Sequence, residues 1–544
     1  MQRIVIQNFG PIKDATIEIP KFLLLIGEQA SGKSTVAKLI YFFRSLKEDF
    51  TKRMYKQPTR GYSWKNDFEV PTRQKFIQFF GRPNQQFEIT FYYTHSNTVS
   101  IKWDNKTLCI EMSDIFKKIL RGVPKPQYIV LVSNTNSSDI PRIERTFNDS
   151  EFVETMNKCF GTMTQDSLYL VAERSSMVRF GNLFERLFSR ELESNLRKIA
   201  ITQNQAIEEI LLMQFLDRVA LLKDYFSTSN RQHFTSNDAR LKWMLSCMSS
   251  ILKGEYSNQS IERISWGKDS KDSVFLQNAS SGQQEVIRIL QDSIWVIEQN
   301  IKAFRVLEEP ESHLFPLAQK RLLEFLSSMV NASEDNTLVI TTHSPYILSS
   351  ANNLLFASYV ASTFPELKDI IQSKIKNISW INPSEFKAYA LDKNQKIYCK
   401  SIVDTKTGMI SQNYLDSVSD ELSSEFNQIY KLYISKIKRN KMSPYPISIT
   451  QLRLLSSFNG FAVNITDCLT IHSDEIFYAY DDKALKYSVC TNSIPSELLL
   501  NQEYFTIKND SKKILFFGVL MVNLSQKVKC KNVIVLYLMK ILFA

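Results

Sequence analysis

The sequence contains few residues that break a chain or cross-link it. Of its 544 residues, 14 are glycine and 16 are proline, which argues against long disordered linkers. The seven cysteines are scattered and form no Cys-x-x-Cys pair. We therefore expect free thiols in a reducing compartment and no structural zinc site.

Long apolar runs are also missing. No stretch approaches the roughly 20 apolar residues of a transmembrane helix. The first residues, MQRIVIQNFGPI, alternate like a strand and carry no basic-then-apolar secretion signal. The apolar segments 514–524 and 533–544 are too short to span a bilayer, and we interpret them as buried strands or a partner-facing surface. The sequence thus predicts a cytoplasmic protein without membrane contact.

The residues of two common nuclease centres are absent too. A TOPRIM nuclease needs a Glu followed by an Asp-x-Asp pair to hold metal, and no such pair follows residue 355. Asp481 and Asp482 are adjacent, so their side chains point differently. An HNH nuclease needs clustered histidines, whereas the five present are far apart: His95, His233, His313, His343 and His472. Nuclease activity in this chain is not expected.

The net charge of +11 is modest for this length and unevenly spread. Residues 436–544 hold 14 Lys and Arg against 8 Asp and Glu. Such an excess suits a partner that carries phosphate, although a basic tail is more often only a solvated face.

Apolar periodicity predicts strands alternating with helices, which is typical of an α/β fold. The predicted elements are strands at Arg3–Gln7, Thr16–Ile19, Phe22–Ile26, Ala303–Leu307 and Thr337–Thr341, antiparallel strands within 88–112, and helices at Ser34–Leu46, 285–298 and 316–330. Together with the segment GEQASGKST at 27–35, which matches a phosphate-binding loop, this pattern predicts a P-loop ATPase head with a mixed sheet, a short helical insertion and a small C-terminal α+β domain. The predicted boundaries are an N-terminal lobe at 1–180, the insertion at 181–265, a C-terminal lobe at 266–435 and a basic domain at 436–544.

The segment 27–35 matches the pattern GxxxxGK[ST] and follows a predicted buried strand. Its glycines let the backbone N–H groups curl around phosphate, and the next helix directs its N-terminus at the same charge. Lys33 would reach the β- and γ-phosphates, and the Ser34 hydroxyl would bind Mg²⁺. The predicted ATP-binding residues of this loop are Gly27, Glu28, Gln29, Ala30, Ser31, Gly32, Lys33, Ser34 and Thr35.

Two further strands end in polar residues. Glu308 and Glu309 follow Ala303–Leu307, at the edge of a parallel sheet where ligands bind. Glu308 would hold Mg²⁺, and Glu309 could polarise the attacking water; a solvated acidic turn is the alternative. His343 follows Thr337–Thr341 and could contact the γ-phosphate, although a lone histidine is more often structural.

A small turn before another predicted helix could bind an anion. Ser281, Gly282 and Gln283 lie where hydroxyls, a glycine and free helix N–H groups come together. An ordinary N-capped helix start is the alternative interpretation.

In this order and spacing, residues 1 to about 360 resemble the non-transporter ABC ATPases grouped with OLD, RecF, Rad50 and SMC heads. The matching segments are IVIQNFGPIKDATIEI, LIGEQASGKST, YLVAERS at 169–175, EEPESHLFP and TTHSPYIL. The resemblance implies that two heads meet head-to-tail around ATP and Mg²⁺, with Ser281 and Gly282 of one touching the γ-phosphate held by the other. It also implies that Glu309 is the catalytic base and His343 the switch histidine. Glu308 departs from the Asp found in transporters, and Arg174 has no assigned role.

Within that group, the layout resembles the ATPases of Septu antiphage systems (PtuA-like), whose partner is an HNH nuclease; related ATPases accompany retron reverse transcriptases. This implies a sensor-regulator that controls a separate nuclease. Two alternatives stay open: a RecF-like DNA-repair ATPase that binds DNA directly, and an OLD-like enzyme with a nuclease site within 436–544.

Overall fold

The structure is a computed structural model of the chain. It describes residues 1–56, 62–104, 106–123, 150–172, 174–176, 178, 207–227, 238–259, 261–266, 272–393 and 397–411, and in addition the short strands at 129–132, 143–146, 445–448, 475–481, 486–491, 498–500, 505–507, 514–517 and 533–537. The chain divides into two compact units, residues 1–415 and 416–544.

The strands of the first unit are β1 (Gln2–Phe9), β2 (Ile12–Ile19), β3 (Phe22–Ile26), β4 (Phe87–Tyr92), β5 (Thr98–Trp103), β6 (Leu108–Met112), β7 (Ile129–Val132), β8 (Ile143–Thr146), β9 (Asp166–Leu170), β10 (Glu255–Asn258), β11 (Glu262–Ser265), β12 (Ser273–Phe275), β13 (Ala303–Glu308), β14 (Thr337–Thr342), β15 (Phe386–Leu391) and β16 (Cys399–Ser401). Its α-helices are α1 (Lys33–Lys56), α2 (Val70–Phe80), α3 (Asp114–Arg121), α4 (Ser150–Phe160), α5 (Ile207–Tyr225), α6 (Ala239–Leu252), α7 (Ser281–Glu298), α8 (Pro316–Val330), α9 (Pro345–Thr363) and α10 (Lys368–Lys374).

A six-stranded sheet in the order β16-β15-β3-β14-β13-β9 is the centre of this unit. Neighbouring strands are parallel except for the pair β15 and β16. Every residue of β3, β13 and β14 is buried, as expected for apolar strands covered on both faces. The predicted α/β class with a mixed sheet is confirmed.

The two faces of this sheet belong to two hydrophobic cores. On β3, Phe22 and Leu24 pack in one core with residues of α6, α7, α8 and α9. Leu23 and Leu25 pack in the other with α1, α2 and the inner side of a second sheet. This division follows from the period of two residues along a strand.

The second sheet has the order β2-β1-β4-β5-β6 and is antiparallel throughout. Buried residues alternate with partly exposed ones along β4 and β5. The same alternation in the sequence predicted two antiparallel strands with a turn between them near residues 96–97. Helix α1 lies beneath it and is longer than predicted, since it continues beyond Leu46 to Lys56. Phe50 and Met54 extend its buried face into that last part.

Helix α5 lies in the region predicted as a helical insertion, 181–265, of which residues 181–206, 228–237 and 260 are outside the described part. The helix joins the cores of the head, because Leu211 and Phe215 are fully buried there. Its Glu208 pairs with Lys38 of α1 at 2.5 Å, and its Arg218 pairs with Asp292 of α7 at 3.1 Å. The described part of this insertion is thus an integral layer of the head.

The second unit contains β17 (Tyr445–Ser448), β18 (Glu475–Asp481), β19 (Lys486–Thr491), β20 (Leu498–Leu500), β21 (Phe505–Ile507), β22 (Ile514–Phe517) and β23 (Val533–Tyr537). Five of these strands form a sheet in the order β17-β18-β19-β22-β23. The two apolar segments from the sequence each contribute one strand, β22 and β23. The predicted boundary at residue 436 and Asp482 lie outside the described residues.

Among the described residues, no helix combines the length and the hydrophobicity that crossing a bilayer requires.

Candidate functional site

The carboxyl ends of three neighbouring parallel strands bring the predicted site residues to one edge of the central sheet. Strand β14 lies between β3 and β13, and its register pairs Thr342 with Ile26 and Thr341 with Glu308. The residues that follow these strands therefore emerge side by side. This edge is where open α/β sheets bind their ligands.

The loop after β3, residues 27–35, fits tightly against the rest of the head. Gly32 has φ +100°, and a Cβ on it would lie 2.4 Å from the Tyr398 hydroxyl. A Cβ on Gly27 would lie 2.3 Å from the Leu391 carbonyl oxygen. Both positions thus need glycine to let the loop curl against the hairpin of β15 and β16.

Lys33 begins helix α1 with its side chain directed into this loop. It is 5% exposed, and its Nζ donates to the carbonyls of Gly27 and Glu28, both at 2.8 Å. Burial lowers the pKa of Lys33, while the nearby Glu309 and Glu311 act in the opposite direction. The ammonium therefore lies close to acidic groups from the neighbouring strand ends.

The loop offers the groups that a triphosphate needs. The Ser31 Oγ is buried and has no hydrogen-bond partner among the described residues, although the Ser31 carbonyl accepts from Tyr398. Glu28, Gln29 and Ala30 are exposed along the loop, as is Ser34 in the first turn of α1, whereas Thr35 is partly buried. An orphaned hydroxyl, a buried ammonium and a helix N-terminus fit an anionic ligand.

Glu308 ends β13 with a carboxylate that is 8% exposed. Its Oε1 accepts from the Tyr169 hydroxyl at 2.7 Å, and its Oε2 accepts from the Ala172 N–H at 3.3 Å. Burial, and then Glu308 itself, raise the pKa of Tyr169, so that hydroxyl remains a donor. Two donors from β9 and the residues after it therefore orient this carboxylate for a cation.

Glu309 and His343 face each other, with Glu309 Oε1 3.2 Å from His343 Nε2. Glu309 has φ +41°, and its N–H donates to the Thr341 carbonyl at 3.0 Å. Burial and then the charge of Lys33 lower the pKa of His343, against the effects of Glu309 and a hydrogen bond to the Gly27 backbone. The imidazole is therefore neutral near pH 7 and can accept or donate one hydrogen bond.

Glu311 supports this pair from behind. Its Oε1 accepts from the Thr342 hydroxyl and, at 3.2 Å, from the His343 N–H. Its Oε2 is buried with no partner in the part of the chain that the structure describes, and burial raises the pKa of this carboxyl. Glu311 thus fixes the backbone from which the His343 side chain projects.

The start of α7 lies against the loop after Glu309. Ser280 caps the helix by accepting from the Gln283 N–H, and the Gln283 side chain accepts from the Ser280 N–H at 3.0 Å. Gln283 also donates to the Leu252 carbonyl at 2.6 Å, so its side chain is engaged within the head. Ser281 is partly exposed, and a Cβ on Gly282 would lie 2.6 Å from the His313 carbonyl oxygen.

A comparison with protein families shows which family the chain belongs to. The family model described as AAA ATPase domain matches residues 1–348, which include the loop at 27–35, the start of α7, Glu309 and His343. The chain belongs to this AAA ATPase domain family. No curated protein matches it.

Several solved structures are similar to this AAA ATPase at low identity. An Smc head bound to the C-winged helix domain of ScpA is 10% identical, covers 74% of this chain and 98% of its own, and gives a TM-score of 0.37. A Pyrococcus furiosus Smc head with an extended coiled coil, bound to the C-terminal domain of ScpA, is 10% identical with 78% and 100% coverage and a TM-score of 0.34. The Thermotoga maritima SMC head is 9% identical with 64% and 90% coverage and a TM-score of 0.28.

Four residues of the AAA ATPase site were not assigned a role from the sequence. Tyr169 and Arg174 lie in the segment YLVAERS, whose pattern alone did not suggest a function, and its Glu173 is outside the described residues. Glu311 lies within EEPE, but nothing in that motif indicated its contact with His343. No sequence pattern indicated a role for Tyr398, because it lies 367 residues from the Ser31 carbonyl that it contacts.

We expect the His343 imidazole of the nucleotide-free chain to titrate below its ordinary value of 6.5. Lys33→Met should raise the midpoint by removing a positive charge, and Glu309→Gln should lower it by removing a negative one. Both can be followed by NMR of ¹³C-labelled histidine, with the resonance assigned by His343→Gln. Lys374→Met, at an exposed lysine, is the matched control. An unchanged midpoint of the His343 titration in Lys33→Met would contradict the described electrostatics.

Proposed function

We propose that this chain is an ATPase that binds ATP and Mg²⁺ between two copies of its head, and that it acts in the cytoplasm as the sensor-regulator of a separate nuclease. The observation that supports the ATPase best is the meeting of Lys33, Glu309 and His343 at adjacent strand ends. Lys33 supplies a buried ammonium for phosphate, Glu309 a carboxylate for water, and His343 a neutral imidazole beside Glu309. Phosphoryl transfer uses groups of these kinds.

Each residue has a role in this proposal. The loop N–H groups and Lys33 hold the β- and γ-phosphates, while Ser34 and Glu308 hold Mg²⁺, which neutralises charge on the phosphates when bound. Glu309 accepts a proton from the water that attacks the γ-phosphorus, and the bond to the ADP oxygen breaks. His343, neutral and with a single N–H, donates that proton to the transferred phosphoryl group when nucleotide is bound.

The start of α7 supports a role for a second copy. Ser281 and Gly282 lie at a helix N-terminus beside the Glu309 loop, and the described contacts of Gln283 are with Ser280 and Leu252 of its own head. A helix N-terminus attracts phosphate even where, as here, one N–H of its first turn is already capped. We propose that Ser281, Gly282 and Gln283 face the nucleotide held by the neighbouring head.

The regulatory part of the proposal depends on the sequence layout. The chain lacks an Asp-x-Asp pair after residue 355 and has widely spaced histidines. We therefore propose that an HNH-type nuclease, with a retron reverse transcriptase and its nucleic acid in some systems, is a separate subunit in antiphage defence.

Lys33→Ala should weaken ATP binding by about 100-fold or more, because it removes charge-assisted hydrogen bonds worth roughly 1.5–3 kcal/mol each. Isothermal titration with MgATP measures this directly. Lys374→Ala, at an exposed lysine, should bind like the wild type. Retained affinity in Lys33→Ala would refute the assignment of the phosphate loop.

Glu309→Gln should bind ATP normally but hydrolyse it about 10²–10⁴-fold more slowly, because an amide cannot accept the proton. With turnover blocked, ATP should accumulate the paired heads, which light scattering detects as a doubled mass. Glu366→Gln, at an exposed glutamate, is the matched control. Normal hydrolysis in Glu309→Gln would remove its role as base.

The tagged full-length chain, expressed with its genomic neighbours, should co-purify with an HNH-type nuclease in a fixed ratio that changes when ATP is removed or Lys33 is replaced. Mass spectrometry and nucleic-acid staining of the complex identify what is bound. Salt-sensitive DNA binding by the isolated chain would instead favour the RecF-like alternative. Metal-dependent nicking that is lost in Asp481→Ala and Asp482→Ala would favour a nuclease within this chain.

A further inference from the structure

Arg174 is bonded far more extensively than a buried cation needs for charge compensation. Its side chain is 0% exposed and pairs with Glu285, with Nε 3.4 Å from Oε2. The guanidinium also donates to backbone carbonyls of three separate segments, those of Val171 at 2.5 Å, Glu308 at 2.8 Å, Glu309 at 3.1 Å and Glu285 at 3.1 Å. A rigid five-donor fork is suited to such a junction, and an ammonium is not.

One end of this junction holds the backbone of the proposed catalytic base. Glu309 has φ +41°, a conformation that a non-glycine residue rarely adopts and that persists only if its surroundings impose it. The described bonds of its backbone are from Arg174 and the Ser312 N–H to its carbonyl, and from its own N–H to the Thr341 carbonyl. Of these partners, Arg174 is the one whose side chain also reaches α7, so it links the Glu309 backbone to that helix.

The other end of the junction is the helix that begins with the proposed phosphate contacts. Glu285 is 1% exposed and lies in the second turn of α7, after Ser281 and Gly282. Its two carboxylate oxygens accept from the backbone N–H groups of Arg174 and Ser175, both at 2.9 Å.

A second contact joins the same two parts independently. Gly282 packs so closely on the loop after Glu309 that an added Cβ would meet the His313 carbonyl oxygen at 2.6 Å. A shift of the α7 N-terminus must therefore move this loop or separate from it.

We propose that Arg174 is a positioning residue that couples the two nucleotide sites of a head pair. Engagement of the partner's nucleotide by Ser281 is transmitted through Glu285 and Arg174 to Glu309, which acts on the nucleotide of its own head. This inference rests on the function proposed above. It makes hydrolysis in one site conditional on γ-phosphate contact in the other, without requiring Arg174 to touch substrate.

Arg174→Lys keeps the charge and loses the multiple bonds, and Glu285→Gln keeps the shape and loses the ion pair. In both we expect kcat to fall at least about tenfold while the dissociation constant for MgATP stays within about twofold, since the phosphate loop is untouched. Combined with Ser281→Ala, Arg174→Lys should slow hydrolysis no further than the slower single variant, because both interrupt one pathway. Arg321→Lys, at a half-exposed arginine of α8, is the matched control.

A merely structural role predicts another pattern. The coupling is overturned if Arg174→Lys lowers ATP affinity together with kcat, or if it leaves kcat within twofold of the wild type. It is also overturned if the fold-reductions in kcat of Arg174→Lys and Ser281→Ala multiply in the double variant. Should Arg174→Lys fail to fold, as judged by its melting temperature, the same criteria apply to Glu285→Gln. Unchanged kcat in both variants, beside Glu309-dependent hydrolysis in the wild type, overturns the coupling alone. A rate of ATP hydrolysis that is unchanged in Glu309→Gln overturns the proposed function itself.

Discussion

Parallel hydrogen bonding between β3, β14 and β13 is the constraint on which the site depends. It sets the strand ends side by side, so that the phosphate loop, Glu309 and His343 emerge at one edge. Because successive residues of a strand point to opposite faces, a slip of β13 by one residue would turn Glu308 away from Tyr169. The buried apolar residues of these strands fix the register, and the chemistry at the edge follows from it.

The site concentrates charge where little water can reach it. Lys33, Glu311, Arg174 and Glu285 are each at least nine-tenths buried, and such groups are stable only when paired or hydrogen-bonded. Most of their bonds go to backbone carbonyls and N–H groups, so the charges and the loops hold each other in place. The same scarcity of water strengthens the attraction of these groups for a phosphate.

Local patterns in the sequence reveal what local interactions build. The phosphate loop, the ends of β13 and β14 and the start of α7 could be predicted, because each combines an apolar run with a short polar motif. The end of α1 could not, since Phe50 and Met54 depend on packing beneath the second sheet. The insertion at 181–265 stays a prediction, and the contacts of α5 with α1 and α7 could not be anticipated because they are long-range.

The junction of Arg174 with Glu285 and the contact of Tyr398 with the phosphate loop were equally hidden. Their partners are 111 and 367 residues away, and no periodicity relates positions so distant. Motif spacing indicates the residues proposed to face a ligand, whereas the residues that hold them in place become visible only in three dimensions.

The short loop between β13 and α8 contains two non-glycine residues in the left-handed conformation, Glu309 at φ +41° and His313 at φ +61°. Each costs the native state about 1–3 kcal/mol relative to a relaxed backbone, a large fraction of the margin by which domains are folded. The strained backbone of this loop therefore lowers the stability of the fold while it holds the proposed base in its position. Glycine at position 313 would relax the backbone and keep the proposed base, whereas glycine at position 309 would remove the carboxylate together with the strain.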